Sequence, residues 1–389
     1  MTRPRRALRL AKPLRERIRA GHPWIYDRAL APLRGLEVGE LVVIVDDLGP
    51  VACALADPSS PLRARVLDLD PDRACDGAWA AARAEAAARL RARDPLLDGC
   101  TGRRLVHGEA DALPGLVIDA YADTAVVVLD GPAASAFWRP RLPDVLAGLE
   151  RGGARLAHAW LRGERRQRGT GEALRGDPPA SIAIHEDDAR FAVDVRAGQK
   201  TGFFLDQRDN RRTIRRHAGD ARVLNMFCYT GGFSLHAALG GARAVTSVDV
   251  AAPAIEALAG NLVLTGLPAA AHELVAEDAF EFLQTAAARG RRWDLVIVDP
   301  PSFAPSERAK PSALRAYDRL ARAALAVVEP GGRFALASCS SHVTEADLLG
   351  QLSSPDLRLR ASAGAASDHP VLPAFPEGRY LKFLFFDVG

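Results

Sequence analysis

The chain has 389 residues, 48% of them apolar and 25% charged, with a net charge of +3 at pH 7. That length supports two or three domains with buried cores, and the apolar fraction excludes a disordered chain. No run approaches the roughly 18 apolar residues of a membrane span, and the basic start (Arg3, Arg5, Arg6, Arg9) leads into no apolar signal segment, so a soluble, cytoplasmic protein with no membrane partner is expected.

Cys53, Cys75, Cys100, Cys228 and Cys339 make an odd count without CxxC spacing, which argues against a disulfide framework and against zinc. No metal is expected. Of the 51 basic residues only Lys12, Lys200, Lys310 and Lys382 are lysines, so arginine abundance reflects a GC-rich coding bias and carries little information by itself. Its clustering carries more. Residues 1–34 hold ten Arg or Lys against Glu16 and Asp27, and two further clusters are Arg162, Arg165, Arg166, Arg168 and Arg208, Arg211, Arg212, Arg215, Arg216. On a near-neutral chain such clusters suggest a face for a polyanion, the alternative being solvated helix surfaces.

In chain order, the apolar runs 41–45 and 51–56 around Asp46-Asp47-Leu48-Gly49 predict a hairpin of a small barrel. An Ala/Arg/Glu helix follows over 76–93, stopped by Asp94-Pro95, and then paired strands at 116–119 and 125–129. The Gly/Arg/Pro-rich stretch 162–179 reads as a loop or hairpin tip. From about residue 187 strands and helices alternate: strands at 223–227, 244–250, 272–276, 295–299, 333–338 and 381–386, helices at 233–239, 252–264, 279–288, 313–328 and 345–352. This pattern predicts an α/β, doubly wound, mostly parallel sheet that binds ligands at the carboxyl ends of its strands.

The first of these strands enters Phe227-Cys228-Tyr229-Thr230-Gly231-Gly232, a glycine turn that opens a helix. Neither GxGxxG nor GxxxxGK[ST] is present, which disfavours dinucleotides and nucleoside triphosphates. The second strand ends in Asp249, placed to take both hydroxyls of a ribose, and the third in Glu277-Asp278, placed to accept from an adenine amine. Each has a plainer reading: a turn, an exposed helix start, and an N-cap at Asp278. The fourth strand runs into Asp299-Pro300-Pro301, where two prolines remove backbone donors and leave acceptors for an amine-bearing planar base. Together these resemble the S-adenosylmethionine sites of class I methyltransferases.

Cys339 ends the next strand within Ser338-Cys339-Ser340-Ser341. Cytosine C5 is a poor nucleophile until a thiolate adds to C6, and a thiol at a strand's carboxyl end beside Asp299 suits that chemistry. The alternative is a small buried hydrophobe, as Cys53 and Cys228 are expected to be in strand and turn, while Cys75 and Cys100 read as loop residues.

With His22-Pro23-Trp24-Ile25-Tyr26, the block from Gly198-Gln199-Lys200-Thr201-Gly202-Phe203-Phe204 to Arg211, Tyr229-Thr230-Gly231-Gly232, Asp299-Pro300-Pro301, Ser338-Cys339-Ser340, Asp368-His369-Pro370 and Pro376-Glu377-Gly378, the chain resembles the bacterial 23S rRNA 5-methylcytosine methyltransferases of the large-subunit methyltransferase I family. The resemblance implies a PUA barrel over 1–74, a central α/β domain over 75–186 and a Rossmann-like methyltransferase domain over 187–389. It implies S-adenosylmethionine as cofactor and 23S rRNA, free or in an assembly intermediate, as partner. Lys200, Thr201, Phe203, Asp206, Gln207, Phe227, Tyr229, Thr230, Gly231, Asp249, Asp278 and Asp299 would line the cofactor; Pro300, Pro301 and Arg208 would face substrate. Asp299 and Cys339 would be catalytic. His185 and His342 depart from the family pattern, and no second cysteine follows Pro301. The rivals are a guanine N-methyltransferase of related fold and a non-catalytic RNA-binding assembly factor. Oligomeric state stays open, a homodimer included.

Overall fold

In the computed structural model, which describes residues 5–32, 35–163, 170–352 and 354–389, the chain forms two compact units. The first comprises Met1–Ile182, Val193–Phe203 and Ser367–Gly378, the second Ala183–Ala192, Phe204–Ala366 and Arg379–Gly389.

The first unit begins with β1 (Arg6–Arg9), α1 (Arg15–Arg19), β2 (Trp24–Ile25), β3 (Leu41–Asp46), β4 (Gly49–Ala56) and β5 (Ala64–Asp68), in the sheet order β1-β3-β4-β5-β2. The expected hairpin is β3–β4. Asp46 makes its turn by accepting from the Leu48 N–H at 2.9 Å, and Gly49 takes a φ of +109°, open only to glycine at little cost. Leu8, Ile18, Ile25, Val42 and Ile44 close a core beneath it.

The rest of this unit is α2 (Gly77–Ala92), β6 (Gly102–His107), β7 (Leu116–Tyr121), β8 (Thr124–Leu129), α3 (Pro132–Trp138), α4 (Leu142–Arg151), β9 (His158–Arg162) and β10 (Gly171–Arg175), with strand order β10-β9-β8-β7-β6. Asp76 caps α2 by accepting from the Trp79 N–H. Alanines along α2 and Gly148 of α4 bring the two helices close; a Cβ on Gly148 would lie 2.2 Å from the Ala81 carbonyl. Cys53, Leu55 and Leu67 of the barrel join this second core, so the boundary expected after residue 74 falls inside one compact unit. Arg3, Arg34 and the basic tip Arg165, Arg166, Arg168 lie outside the described residues.

A hairpin of β11 (Ser181–Glu186) and β12 (Ala189–Asp194) follows, and its tip belongs to the second unit. That unit contains α5 (Arg208–His217), β13 (Arg222–Met226), α6 (Gly232–Leu239), β14 (Ala244–Asp249), α7 (Ala252–Thr265), β15 (His272–Ala276), α8 (Ala279–Ala288), β16 (Trp293–Val298), α9 (Lys310–Leu325), β17 (Val328–Ser338), α10 (Glu345–Gln351), β18 (Leu357–Ala363) and β19 (Lys382–Val388). The sheet order is β15-β14-β13-β16-β17-β19-β18, parallel except where β19 pairs antiparallel with β17 and β18. The mostly parallel, doubly wound sheet matches the expectation. Crossovers leave β13 toward β14 on one side and β16 on the other, which opens a crevice at the carboxyl ends of these strands. Among the described residues no helix is long and apolar enough to cross a membrane.

Candidate active site

The turn after β13 is built under strain. Phe227 and Tyr229 adopt φ of +59° and +47°, left-handed conformations that non-glycine residues rarely hold. Gly231 follows at +91°, and a Cβ there would sit 2.6 Å from Leu258 Cγ, so only glycine fits. The backbone is held open by the Cys228 N–H donating to the Val248 carbonyl at 3.0 Å, the Tyr229 N–H donating to Asp249 Oδ2 at 2.9 Å, and Asn261 Nδ2 donating to the Thr230 carbonyl at 2.9 Å. Strain of about 1–3 kcal/mol per such residue persists only where its surroundings over-determine it.

Asp249, at the end of β14, is half-buried and accepts one backbone N–H on each oxygen, Tyr229 on Oδ2 and Ala251 on Oδ1, both at 2.9 Å. Each carboxylate oxygen has a second acceptor site, so a ribose diol can be held without breaking these bonds. Asp278 is exposed and caps α8, its Oδ1 accepting from Phe280 and Glu281. The N-cap accounts for Asp278 without any ligand.

The segment before α5 connects to the strand ends. Gln207 Nε2 donates to Asp299 Oδ2 at 2.9 Å, Gln207 Oε1 accepts from Asn210 at 2.7 Å, and Tyr380 donates to Asp206 Oδ2 at 2.6 Å. Phe204 lies edge-on to Tyr229, ring centres 5.3 Å apart. Asp206 and Gln207 are both buried.

Arg208, expected to face substrate, has a fully buried side chain whose Nε lies 3.8 Å from a Glu186 carboxylate oxygen. Its neighbours are likewise occupied. Arg211 makes a two-pronged pair with Glu186 at 2.6 and 2.5 Å, Arg212 pairs with Asp187 at 2.9 and 2.7 Å, and Arg215 with Asp188 at 2.6 Å. The acidic tip of the β11–β12 hairpin thus pairs with four of the five arginines of this cluster. Glu186 is the residue that sequence reasoning missed. Burial opposes its ionisation, but Arg211 and His236 outweigh it and hold the carboxyl far below the usual carboxylate range.

Cys339 follows β17, the parallel neighbour of β16, whose continuation is Asp299-Pro300-Pro301. Pro300 is buried and Pro301 exposed. The flanking serines are fully buried and hold the loop: Ser340 Oγ meets Ser302 Oγ at 3.0 Å and the Tyr317 hydroxyl at 3.1 Å, and Tyr317 meets Ser338 Oγ at 2.8 Å. Hydroxyls on both sides of the thiol are therefore spent on fixing its position. Of the five cysteines, only Cys339 is not buried. Cys53 and Cys75 meet sulfur to sulfur at 3.7 Å, and burial, reinforced by Asp249, pushes the Cys228 thiol up. Cys75 and Cys100 lie outside regular elements, as expected, yet are buried. His342 meets Glu307 at 3.1 Å, and His185 is exposed on β11.

Lys200, Thr201 and Phe203 belong to the first unit. Thr201 is buried there, donating to Asp119 Oδ2 at 2.5 Å and bonded to the Tyr121 hydroxyl at 2.7 Å. The Phe203 N–H donates to the same Tyr121 oxygen at 3.1 Å, and Arg104 grips Asp119 with two bonds of 2.8 and 2.9 Å. The Thr201 hydroxyl, expected at the cofactor, is committed to this network. Lys200 is exposed with φ of +53°, and Arg162 donates to its carbonyl and to that of Gly198. No signal in the sequence tied Thr201 to Asp119 or Tyr121, since about 80 residues separate them.

The strained turn, the free acceptor sites on Asp249 and the absence of a phosphate loop fit S-adenosylmethionine. A family model for S-adenosylmethionine-dependent methyltransferases matches residues 139–361, and a PUA-like domain model matches residues 8–69. A ribosomal RNA large subunit methyltransferase of Deinococcus radiodurans is 40% identical, covering 99% of this chain and 98% of its own. Ribosomal RNA large subunit methyltransferase I of Klebsiella pneumoniae is 35% identical over 96% of each. Among solved structures, a putative methyltransferase from Streptococcus mutans superimposes with a TM-score of 0.85 at 22% identity, covering 98% of this chain and 100% of that one. A putative methyltransferase complexed with SAH gives 0.86, with the same identity and coverage. These two establish the shared fold. With the family model across more than half of the chain and relatives this similar along nearly all of it, the chain belongs to the S-adenosylmethionine-dependent methyltransferase family that includes the ribosomal RNA large subunit methyltransferases.

Proposed function

We propose that the chain methylates C5 of a cytosine in large-subunit (23S) ribosomal RNA, in the cytoplasm, with Cys339 as covalent nucleophile. The RNA part of this reading is supported by the relatives, which are ribosomal RNA large subunit methyltransferases, and the base and atom by one observation: Cys339 is the one unburied cysteine and ends the strand beside Asp299. A flipped-out cytosine offers its amine and ring nitrogen to Asp299 and to the carbonyls left open by Pro300 and Pro301. Gln207 fixes Asp299 for that task. The thiolate adds to C6, forming the S–C6 bond and moving an electron pair toward C5. S-adenosylmethionine, when bound, supplies the electrophilic methyl group. Loss of the C5 proton and cleavage of the S–C6 bond then release Cys339.

The direct test is mass mapping of 23S rRNA from cells lacking the protein. One 5-methylcytosine should disappear; loss of a methylated guanine instead would move the assignment to the guanine-nitrogen chemistry.

Asp249→Ala should weaken S-adenosylmethionine binding by about 2–3 kcal/mol, because charge-assisted hydrogen bonds are lost and the strained Tyr229 amide loses its acceptor. Calorimetry on the full chain measures this, and an unchanged dissociation constant would remove Asp249 from the site.

With Arg208–Arg215 occupied, RNA phosphate contacts fall to exposed cations of the barrel, Lys12, Arg19 and Arg28. Neutralising one contacting residue should lower the slope of log affinity against log salt by about one unit. An unchanged slope for all three would show that RNA is gripped elsewhere.

A further inference from the structure

Lys382 opens β19 directly opposite Ser338 of β17, the residue before Cys339. It is 5% exposed, a burial that lysine seldom accepts without a specific partner. Its Nζ donates to two backbone carbonyls, Ser340 at 2.5 Å and Tyr380 at 2.8 Å, so the ammonium is pinned next to the residue that follows the thiol. Neither partner carries charge. The charged and titratable groups acting on it come from two other elements. Cys339 lies at the end of β17 and Asp347 on α10, and Asp347 is already paired with Lys310 of α9 at 2.7 Å. Tyr317 of α9 meets both serines that flank Cys339, and its phenol, raised by burial, stays neutral. Tyr380 turns its hydroxyl to Asp206. Of Cys339 and Asp347, Cys339 is the nearer along the chain to the grip of Lys382, which holds the carbonyl of the very next residue, Ser340.

Composition sharpens the point. In a chain where arginine so outnumbers lysine, this buried site holds one of only four lysines. A compact ammonium held by two carbonyls responds to its surroundings as a guanidinium cannot.

We propose that Lys382 is a positioning residue for the methyl transfer, its ammonium holding Cys339 as the thiolate that attacks the base. The inference rests on the assignment of Cys339 as nucleophile. In the resting protein the Cys339 proton passes to bulk water, Lys382 keeps its own, and the result is a neutral ion pair inside the sheet's carboxyl edge. Burial lowers the Lys382 ammonium to about 8, and the Cys339 and Asp347 charges act in the opposite sense. A thiolate beside it and an ammonium beside the thiol stabilise each other by the same amount. Above that pH the pair loses its positive member, so thiolate stabilisation should fade on the alkaline side.

Iodoacetamide alkylation of the full chain reads the thiolate without RNA and without turnover, with peptide mapping to isolate Cys339 from the four buried cysteines. For Lys382→Met the rate at pH 7 should fall about tenfold, equal to a rise of one pH unit in the apparent thiol ionisation. Lys382→Arg, which retains charge, should restore most of it. If Lys382→Met does not fold, NMR titration of 13Cε-labelled lysine in Cys339→Ala supplies the reciprocal measurement: Lys382 should lose its proton at lower pH than in the wild type. An unshifted alkylation profile in folded Lys382→Met, or an unshifted Lys382 titration in Cys339→Ala, overturns the proposal. Both readouts are independent of which atom is methylated. An ion pair found in a protein whose Cys339→Ala variant still methylates RNA would uphold the pairing and overturn only the nucleophile assignment and, with it, the role given to Lys382 in catalysis.

Discussion

Cys339→Ala should abolish methylation while leaving S-adenosylmethionine affinity within about a few tenths of a kcal/mol, because the thiol acts on the base and not on the cofactor. The wild-type protein should be trapped covalently by RNA carrying 5-fluorocytosine at the target, since fluorine cannot leave C5 as a proton does and the S–C6 bond then persists. Cys228→Ala is the matched control. Cys228 lies in the cofactor turn, but its thiol is buried and its ionisation is suppressed by burial and by Asp249, so trapping should continue. Substantial turnover by Cys339→Ala, or an adduct mapping to another cysteine, would end the C5 assignment. Cys339→Ala should leave the fold intact, because the Ser338 and Ser340 hydroxyls carry hydrogen bonds that hold this loop.

The parts of this site that the sequence displays are those encoded locally. The helices after β13, β14 and β15 and the strands β13–β17 lie within a few residues of their expected positions, because each is a run with its own periodicity and its own stop. The loops that end β13, β14, β16 and β17 then place Tyr229, Asp249, Asp299 and Cys339 at one edge by topology alone. What escapes is held together at long range. α5, with Ile214 as its one large apolar residue, reads as a polar stretch, and its partners Glu186, Asp187 and Asp188 are more than twenty residues away on a hairpin. β18 is an edge strand with mostly exposed side chains, so its pattern carries no core signal. The residues Val193–Phe203 and Ser367–Gly378 read as catalytic-domain sequence but pack with the first unit, through bonds such as Thr201 to Asp119 and the Asp368 carboxylate to the Arg104 N–H at 2.8 Å. The same holds for the Arg208–Arg216 cluster: an arginine's acidic partner is invisible until the fold supplies it.

Glu186→Ala should lower the unfolding free energy by about 3–5 kcal/mol, the range for breaking a buried pair and leaving its partner charged and unpaired. Glu186 is 2% exposed at its side chain, as is Arg211, and Arg208 beside them is fully buried, so removing the carboxylate strands positive charge in a low-dielectric interior. Replacing Glu186 and Arg211 together by leucine should cost less than Glu186→Ala alone, since the Arg211 charge is then not stranded and Arg208 alone keeps a buried positive charge. The pH dependence has a definite sign. The folded carboxyl ionises far below its unfolded value of about 4.3, so the pair's contribution is complete above that value and is lost as pH falls toward the folded one. Wild-type stability should therefore decline on acidification below about pH 4.3, and the Glu186→Ala difference should shrink over the same interval. The consequence reaches the active site through Arg211, whose Nη1 donates to the Phe204 carbonyl at 2.9 Å, three residues before the Gln207 that orients Asp299. Denaturant unfolding across pH measures the stability difference, and calorimetry in the same variant should show weakened cofactor binding; an acid-independent difference with unchanged binding would show that the Glu186–Arg211 pair supports neither the fold nor the site.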